Sequence, residues 1–425
     1  MQDAVPSRPS TPSVHPPRFR GARRRSVVAG LLAAGLITAG TAGAVPAAAG
    51  VRPAAGPVCS GTASPTFGTA TPNTAQNGKF TAYGNSNALL DDWTGADTTY
   101  SLKLSDGRIV YAYSDTFLGK VNSDGSRPVV IEEGGTTPFI NNSFVVQATG
   151  GALTTVHGGT AAAPKAVMPP PQRADWYWAG DLTQSGSEVQ QLYREYYDPN
   201  PDNGDPWDMK FKGNVLARFS TGNLSAPTQV AAMPSATGVQ WGSAILKDGG
   251  KTYIYGTEDY TDPSTGVNTK YLHVARVDGT DLRGTWSYRT SSGWSLAEAD
   301  SARLLSGVSN EFSVTKRGAH YLLVNQDTKI AFGAEIDVLL SCSADGPFTN
   351  EQTVYSTPET GPFGSYGDPD VYTYNAHQHA SLSSSGRLVI SYNVNSLDRT
   401  AGPANDNYRD VSIYRARYIN LPVSG

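Results

Sequence analysis

The sequence predicts an all-β chain folded as a five-bladed β-propeller. Three observations predict it: one hairpin phrase recurs, its copies stand at a regular spacing, and no helical period runs between them. The phrase is a strand, a turn on glycine, and a second strand rich in Tyr, Val, Ile and Leu. It reads YSLKLSDGRIVYAYSDTF at residues 100–117, WGSAILKDGGKTYIYGTE at 241–258, EFSVTKRGAHYLLVNQD at 311–327 and HASLSSSGRLVISYNVN at 379–395. The turns centre on Gly107, on Gly249 with Gly250, on Gly318 and on Gly386. They stand about 70 residues apart, and about twice that across the first gap, a period that marks one supersecondary unit copied around an axis or along a solenoid. Short strands joined by tight glycine turns select propeller blades among those architectures.

The first gap holds a less faithful copy. Residues 178–196, WAGDLTQSGSEVQQLYREY, keep the strand–glycine–strand order around Gly186. A third strand is expected in each unit, at residues 142–148, 214–219, 271–277, 335–342 and 411–418. The units then begin near residues 90, 175, 240, 310 and 375 and take up almost all of the chain after its first segment.

That first segment, residues 1–49, reads as an export signal. Arg23, Arg24 and Arg25 precede an Ala/Gly/Leu run to Ala44, and Ala47, Ala48 and Ala49 suit a signal-peptidase site. The run is weakly apolar and broken by Gly30, Gly35 and Gly40, which fits the twin-arginine route better than a spanning helix. The mature protein is therefore expected outside the cell. Residues 50–77, rich in Thr, Pro and Ala from 60 onwards, read as an N-terminal arm or linker, and residues 78–425 as the propeller domain.

The whole chain carries 33 basic and 37 acidic residues. Loss of residues 1–49 leaves the mature chain about nine charges negative, which argues against nucleic acid or an anionic membrane as partner. The two cysteines, Cys59 and Cys342, are most simply a disulfide in an exported protein, fastening the arm onto the ring.

In a propeller the innermost strands converge on one axis, and polar groups at their open ends meet in a funnel. The residues expected just before each first strand are Asp97, Asp181, Trp241, Glu311 and the pair His377 and His379. A second ring, at the ends of the second strands, holds Asp115, Glu258, Gln326 and Asn393. Several carboxylates around one pit suit glycoside hydrolysis, where one acid must hold a proton and another must be ionised. Crowding raises the pKa of at least one and separates the two roles. Trp93, Trp176, Trp178 and Trp241 offer faces for sugar rings. Taken singly, each acid also fits a turn or strand-end cap bonded to backbone.

Other patterns are weaker. The acidic stretch at residues 198–205 alternates oxygen ligands as hard-cation loops do, but two prolines intervene and the twelfth-position Glu is missing. A plain acidic turn is the simpler reading, and a structural calcium there is the one ion considered. His377 and His379 lack the further ligands of a zinc set. No Gly-rich phosphate loop and no Gly-x-Ser-x-Gly elbow occurs, so no organic cofactor and no serine hydrolase is expected.

The phrases TGAD (residues 94–97), SDGRIVYAYSDTFLG (105–119) and PFINNSFVV (138–146) resemble a group of secreted bacterial five-bladed propellers long classed as domains of unknown function. Related members include the endo-D-arabinanases that cut mycobacterial arabinogalactan; the arabinanase and fructosidase propellers, which work with three acids, are more distant. The resemblance spans most of residues 78–420 and is sharpest in the first unit. It implies that Asp97 and Asp115 match the paired catalytic aspartates. Ser114 stands where the arabinanases usually have Gly, which implies a sister group with another substrate.

The expectation is a secreted, monomeric glycoside hydrolase of a furanose-containing, arabinan- or arabinogalactan-like polysaccharide. Asp97, Asp115 and Glu311 carry the chemistry, and Asn142, Asp181, Trp241, Glu258 and His379 hold substrate. The alternatives are a non-catalytic carbohydrate-binding propeller and an adhesion scaffold whose acids are scattered.

Overall fold

The computed structural model describes residues 56–172, 174–201 and 208–425. Residues 1–55, which include the expected export signal at 1–49, and Arg173 and residues 202–207 lie outside the described residues. Sheets of four or more strands follow one another in chain order, each an antiparallel meander. The first sheet joins Tyr100–Lys103, Ile109–Tyr113, Ser143–Gln147 and Leu153–Val156. The second joins Asp175–Ser185, Glu188–Tyr197, Lys210–Ser220 and Gln229–Met233. The third begins with Gln240–Asp248, Lys251–Thr261 and Asn268–Asp278. The fourth joins Ser313–Arg317, His320–Gln326, Glu335–Ser341 and Thr349–Ser356. The fifth joins Val371–Gln378, Arg387–Ser396 and Arg417–Ser424.

The expected hairpin turns stand where the glycines put them. Gly107, Gly186, Gly249, Gly250 and Gly318 all have positive φ, between 56° and 91°, which a side chain on Cβ would oppose. The last unit differs. Its first strand is Val371–Gln378, and residues 379–386 form the connection instead of a strand. The aromatic alternation of VYTYNAHQ suits a strand, whereas the serines that follow bond backbone and favour turns: Ser383 Oγ donates to His379 O at 2.7 Å. The expected third strand at 411–418 is also corrected, because Val411–Tyr414 is a 3-10 turn and the strand starts at Arg417.

Hydrophobic clusters lie between neighbouring sheets, so both faces of most strands are apolar. Val110, Phe144, Leu182 and Phe219 pack the first sheet on the second. Leu192, Leu216, Ile254 and Ala275 join the second to the third. Tyr255, Val274, Phe312 and Leu323 join the third to the fourth. Leu322, Val338, Ile390 and Leu421 join the fourth to the fifth. Tyr111, Val145, Val389 and Tyr418 return from the fifth to the first. The series closes on itself, which is the packing of a β-propeller. Polar bonds close the same seam: Thr99 Oγ1 donates to Asn393 Oδ1 at 2.9 Å.

The arm is part of that closure. Thr66–Phe67 and Thr71–Pro72 pair antiparallel with Arg417–Ser424. A disulfide joins Cys59 to Cys342. Helix Thr74–Gly84 follows, capped by Asn73, whose side chain accepts from the Gln76 amide. Among the described residues no helix is long and apolar enough to cross a membrane.

Candidate active site

The first sheet is interrupted at two places that face each other. Trp93–Ala96 pairs with Thr116–Leu118, and Tyr100–Lys103 with Ile109–Tyr113, so residues 97–99 and 114–115 fall between the two ladders. The Asp97 amide donates to Asp115 O at 3.3 Å, and the Ser114 amide donates to Asp97 O at 3.2 Å. Thr98 and Thr99 have φ of 77° and 66°. Two β-branched residues in the left-handed region cost about 1–3 kcal/mol each, and such strain clusters at functional sites. The break turns both aspartates out of the regular pleat at the start of the innermost strand.

Asp115 is 2% exposed, and its Oδ1 accepts from Asn141 Nδ2 at 3.0 Å and Trp178 Nε1 at 3.2 Å. Asp97 is half-buried; Oδ2 accepts from the Tyr374 hydroxyl at 2.8 Å, while Oδ1 takes no hydrogen bond. Burial raises the pKa of both, and repulsion from Asp97 pushes Asp115 further up. Glu311 reaches the same place from the loop before the fourth sheet. Its Oε1 accepts from Thr98 Oγ1 at 3.0 Å and Arg194 Nη2 at 3.2 Å, and its Oε2 has no partner. Burial lifts Glu311 to about 7, with Arg194 opposing and Asp97 assisting. Arg194 is fixed in turn by Ala179 O at 2.7 Å and Asn310 O at 3.2 Å.

Aromatic rings flank the acids on two sides. Trp178 is half-buried and packs on Tyr196 with centroids 4.6 Å apart and on Trp176 at 5.6 Å. By Asp97, the Tyr372 ring lies 5.2 Å from that of Tyr374 and 4.1 Å from that of Phe332. The structure thus brings Asp97, Asp115 and Glu311 together, with Trp178 beside them.

The expected substrate-holding residues are placed elsewhere or otherwise engaged. Asp181 bonds the amides of Leu182 at 2.8 Å and Ile245 at 2.6 Å, tying the second sheet to the third. It lies within the strand Asp175–Ser185, at a bulge between Ala179 and Leu182. Asn142 is fully buried; it donates to Met168 O and Tyr177 O and accepts from the Met168 amide. Its neighbour Asn141 is the one that reaches Asp115. Trp241 is 0% exposed, packed on Trp286 and Tyr288, with Nε1 donating to Glu298. His379 is 1% exposed, lies at the turn end of the fifth sheet and bonds Ser101 and Ser391. Glu258 forms a separate cluster with His273 at 3.1 Å and a two-pronged bond from Arg303 at 2.7 and 2.6 Å.

Sequence reasoning missed Asn141, Arg194, Tyr374 and Thr98. Arg194 lies in the strand EVQQLYREYY, where Gln190, Gln191 and Glu195 are polar too, so its type alone does not mark it. Among the described residues no three His, Cys, Asp or Glu side chains group as metal ligands. Half of the acidic stretch, residues 202–205, lies outside the described residues; in the other half Asn200 bonds Asp198, and also Asp208 beyond the gap.

A family model described as "Domain of unknown function (DUF5005)" matches residues 77–422. The chain belongs to the DUF5005 family. The matched span takes in all three acids and every sheet. A crystal structure of a candidate hydrolase from Bacteroides ovatus is 22% identical, covering 83% of this chain and 90% of that one, with a TM-score of 0.65. At that identity the likeness shows that the DUF5005 chain shares its fold. A GH43_1 enzyme from Xanthomonas citri is 13% identical over 80% of this chain and 93% of its own, with a TM-score of 0.41. An alpha-L-arabinofuranosidase from Podospora anserina, in complex with cellotriose, is 10% identical over 78% and 91%, with a TM-score of 0.40. These two likenesses are too distant to argue from. No curated protein matches the sequence.

Proposed function

We propose that this DUF5005 protein is a secreted, five-bladed propeller that hydrolyses a glycosidic bond in a furanose-containing, arabinan- or arabinogalactan-like polysaccharide. The observation that carries the reading is the convergence of Asp97, Asp115 and Glu311, all with raised pKa, between two aromatic walls. Glycoside hydrolysis needs one carboxyl protonated and one ionised near neutral pH. Glu311 suits the acid: it holds a proton up to about 7, and its Oε2 has no protein partner. Asp97 suits the ionised group that attacks or activates water, because it is the least buried of the three and the Tyr374 and Tyr414 hydroxyls favour its charged form. Asp115, deeper and more readily protonated, then orients and tunes Asp97 across their shared backbone bonds. Trp178 offers a face for a sugar ring.

The test is incubation of the mature protein with arabinan, arabinogalactan and other cell-wall polysaccharides, followed by assay of released oligosaccharides. Asp97→Asn and Glu311→Gln should each lower release at least about 100-fold, the usual scale for removing a general acid or base. Full activity in both variants would overturn the assignment. Tight sugar binding without release would support a carbohydrate-binding protein instead.

A further inference from the structure

We propose that Thr98 is a two-position hydroxyl switch that follows the charge on Glu311, with Ser114 as its second acceptor. The inference rests on the reading of Glu311 as the group that gives up a proton. Thr98 Oγ1 is in donor geometry to Ser114 Oγ at 2.6 Å and to Glu311 Oε1 at 3.0 Å. A hydroxyl carries one hydrogen, so it serves one acceptor at a time. Thr98, Ser114 and Glu311 are 2%, 3% and 5% exposed, so bulk water does not substitute for either.

The two acceptors are held by different parts of the ring. Ser114 Oγ accepts from the Ala179 amide at 3.0 Å, which fixes it against the second sheet. Glu311 Oε1 is fixed by Arg194. Thr98 itself is held in a left-handed backbone conformation, which aims its side chain away from the regular strand.

The preference between the two follows from charge. A hydrogen bond to an ionised carboxylate is about twice as strong as one to a neutral acceptor. While Glu311 holds its proton, Ser114 at the shorter distance takes the Thr98 hydrogen. Once the proton has left, the hydrogen turns to Oε1 and stabilises the new charge. That stabilisation is larger after proton transfer than before, which is the kind of binding that speeds a reaction. The charged group favouring the ionised form is Arg194 and the one opposing it is Asp97. The hydroxyls of Tyr100 and Tyr196 also face the pair, both with pKa raised by burial and neutral throughout. Thr98 is the remaining lever on the carboxyl, and it is a positioning residue.

The two substitutions have opposite signs. Thr98→Val removes a donor from the ionised form and should raise the Glu311 midpoint by about one unit. Ser114→Ala removes the acceptor used in the protonated form and should lower it. Thr98→Ser should restore the midpoint. The measurement is a ¹³C NMR titration of protein labelled at the glutamate carboxyls, with the Glu311 signal identified by its loss in Glu311→Gln. Shifts of the same sign in both variants, or no shift in either, would overturn the switch. Should near-UV circular dichroism show that Thr98→Val is not folded, the sign for Ser114→Ala decides alone. The titration needs no substrate, so it is separable from the assigned activity: unimpaired cleavage by Glu311→Gln would sink the acid role and leave the titration result standing.

Discussion

Arg194 and Glu311 meet at 3.2 Å, one from the second sheet and one from the loop entering the fourth. Their side chains are 3% and 6% exposed, so each charge depends on the other. The pair lowers the cost of ionising a buried carboxyl without cancelling it, because burial is the largest influence on Glu311. Arg194→Met should therefore raise the Glu311 midpoint above about 7. The same NMR titration, or the pH profile of any cleavage activity, checks it. A midpoint that fell would show that Arg194 does not stabilise the ionised Glu311 carboxyl.

Glu311 also makes stability depend on pH. Its folded pKa, about 7, lies above its ordinary 4.5. The stabilisation tied to its proton is complete below the lower value and is lost as pH rises through the upper one. Glu311→Gln cannot lose that proton. Thermal unfolding measured from pH 4.5 to 8 should show the variant gaining on the native protein as pH rises, by up to about 3 kcal/mol. A constant difference across that range would contradict the raised pKa.

Trp178 and Trp241 separate a surface role from a core role. Trp241→Ala opens a cavity among Trp286, Tyr288 and His273 and should cost about 3–5 kcal/mol of stability. Trp178→Ala should cost less in stability and weaken oligosaccharide binding by about 1–3 kcal/mol if its face takes a sugar ring. Thermal melts and binding isotherms on the two variants give the comparison; equal effects in both assays would remove Trp178 from the site.

The Cys59–Cys342 bond closes a separation of 283 residues. Its removal by Cys59→Ser with Cys342→Ser should lower stability by about 2–5 kcal/mol. Hydrogen exchange should then rise first at Thr66, Phe67 and Thr71, in the two short strands of the arm. Unchanged exchange there would mean that strand pairing alone holds the arm.

Much of the sheet plan was legible because glycine turns and β-forming runs are local signals. Gly107, Gly186, Gly250 and Gly318 each mark a real hairpin. The clustering of Asp97, Asp115 and Glu311 was legible for a related reason: each sits where a strand begins or ends, and the strand boundaries could be read. The other ring members were not legible. Bulges between Ala179 and Leu182, Trp241 and Ala244, and Tyr374 and His377 shift side chains from the mouth to the seams between sheets. A bulge leaves little trace in composition, and a one-residue slip reverses the face. Asn141 and Asn142 show how fine the distinction is: the first reaches Asp115, while its neighbour bonds Met168 and Tyr177. Arg194 was hidden for another reason: its partner comes from 117 residues further on.

The joining of Thr66–Phe67 and Thr71–Pro72 to Arg417–Ser424 has a consequence in time. Thr66 pairs with Ser424, 358 residues further along the sequence. During synthesis, no fragment lacking Arg417–Ser424 can complete the fifth sheet, and the ring stays open until that strand is made. Pairing of such high sequence separation is slow. A truncation of a few residues at the C-terminus would thus strand both ends at once, turning a small deletion into an unclosed ring with two exposed sheet edges.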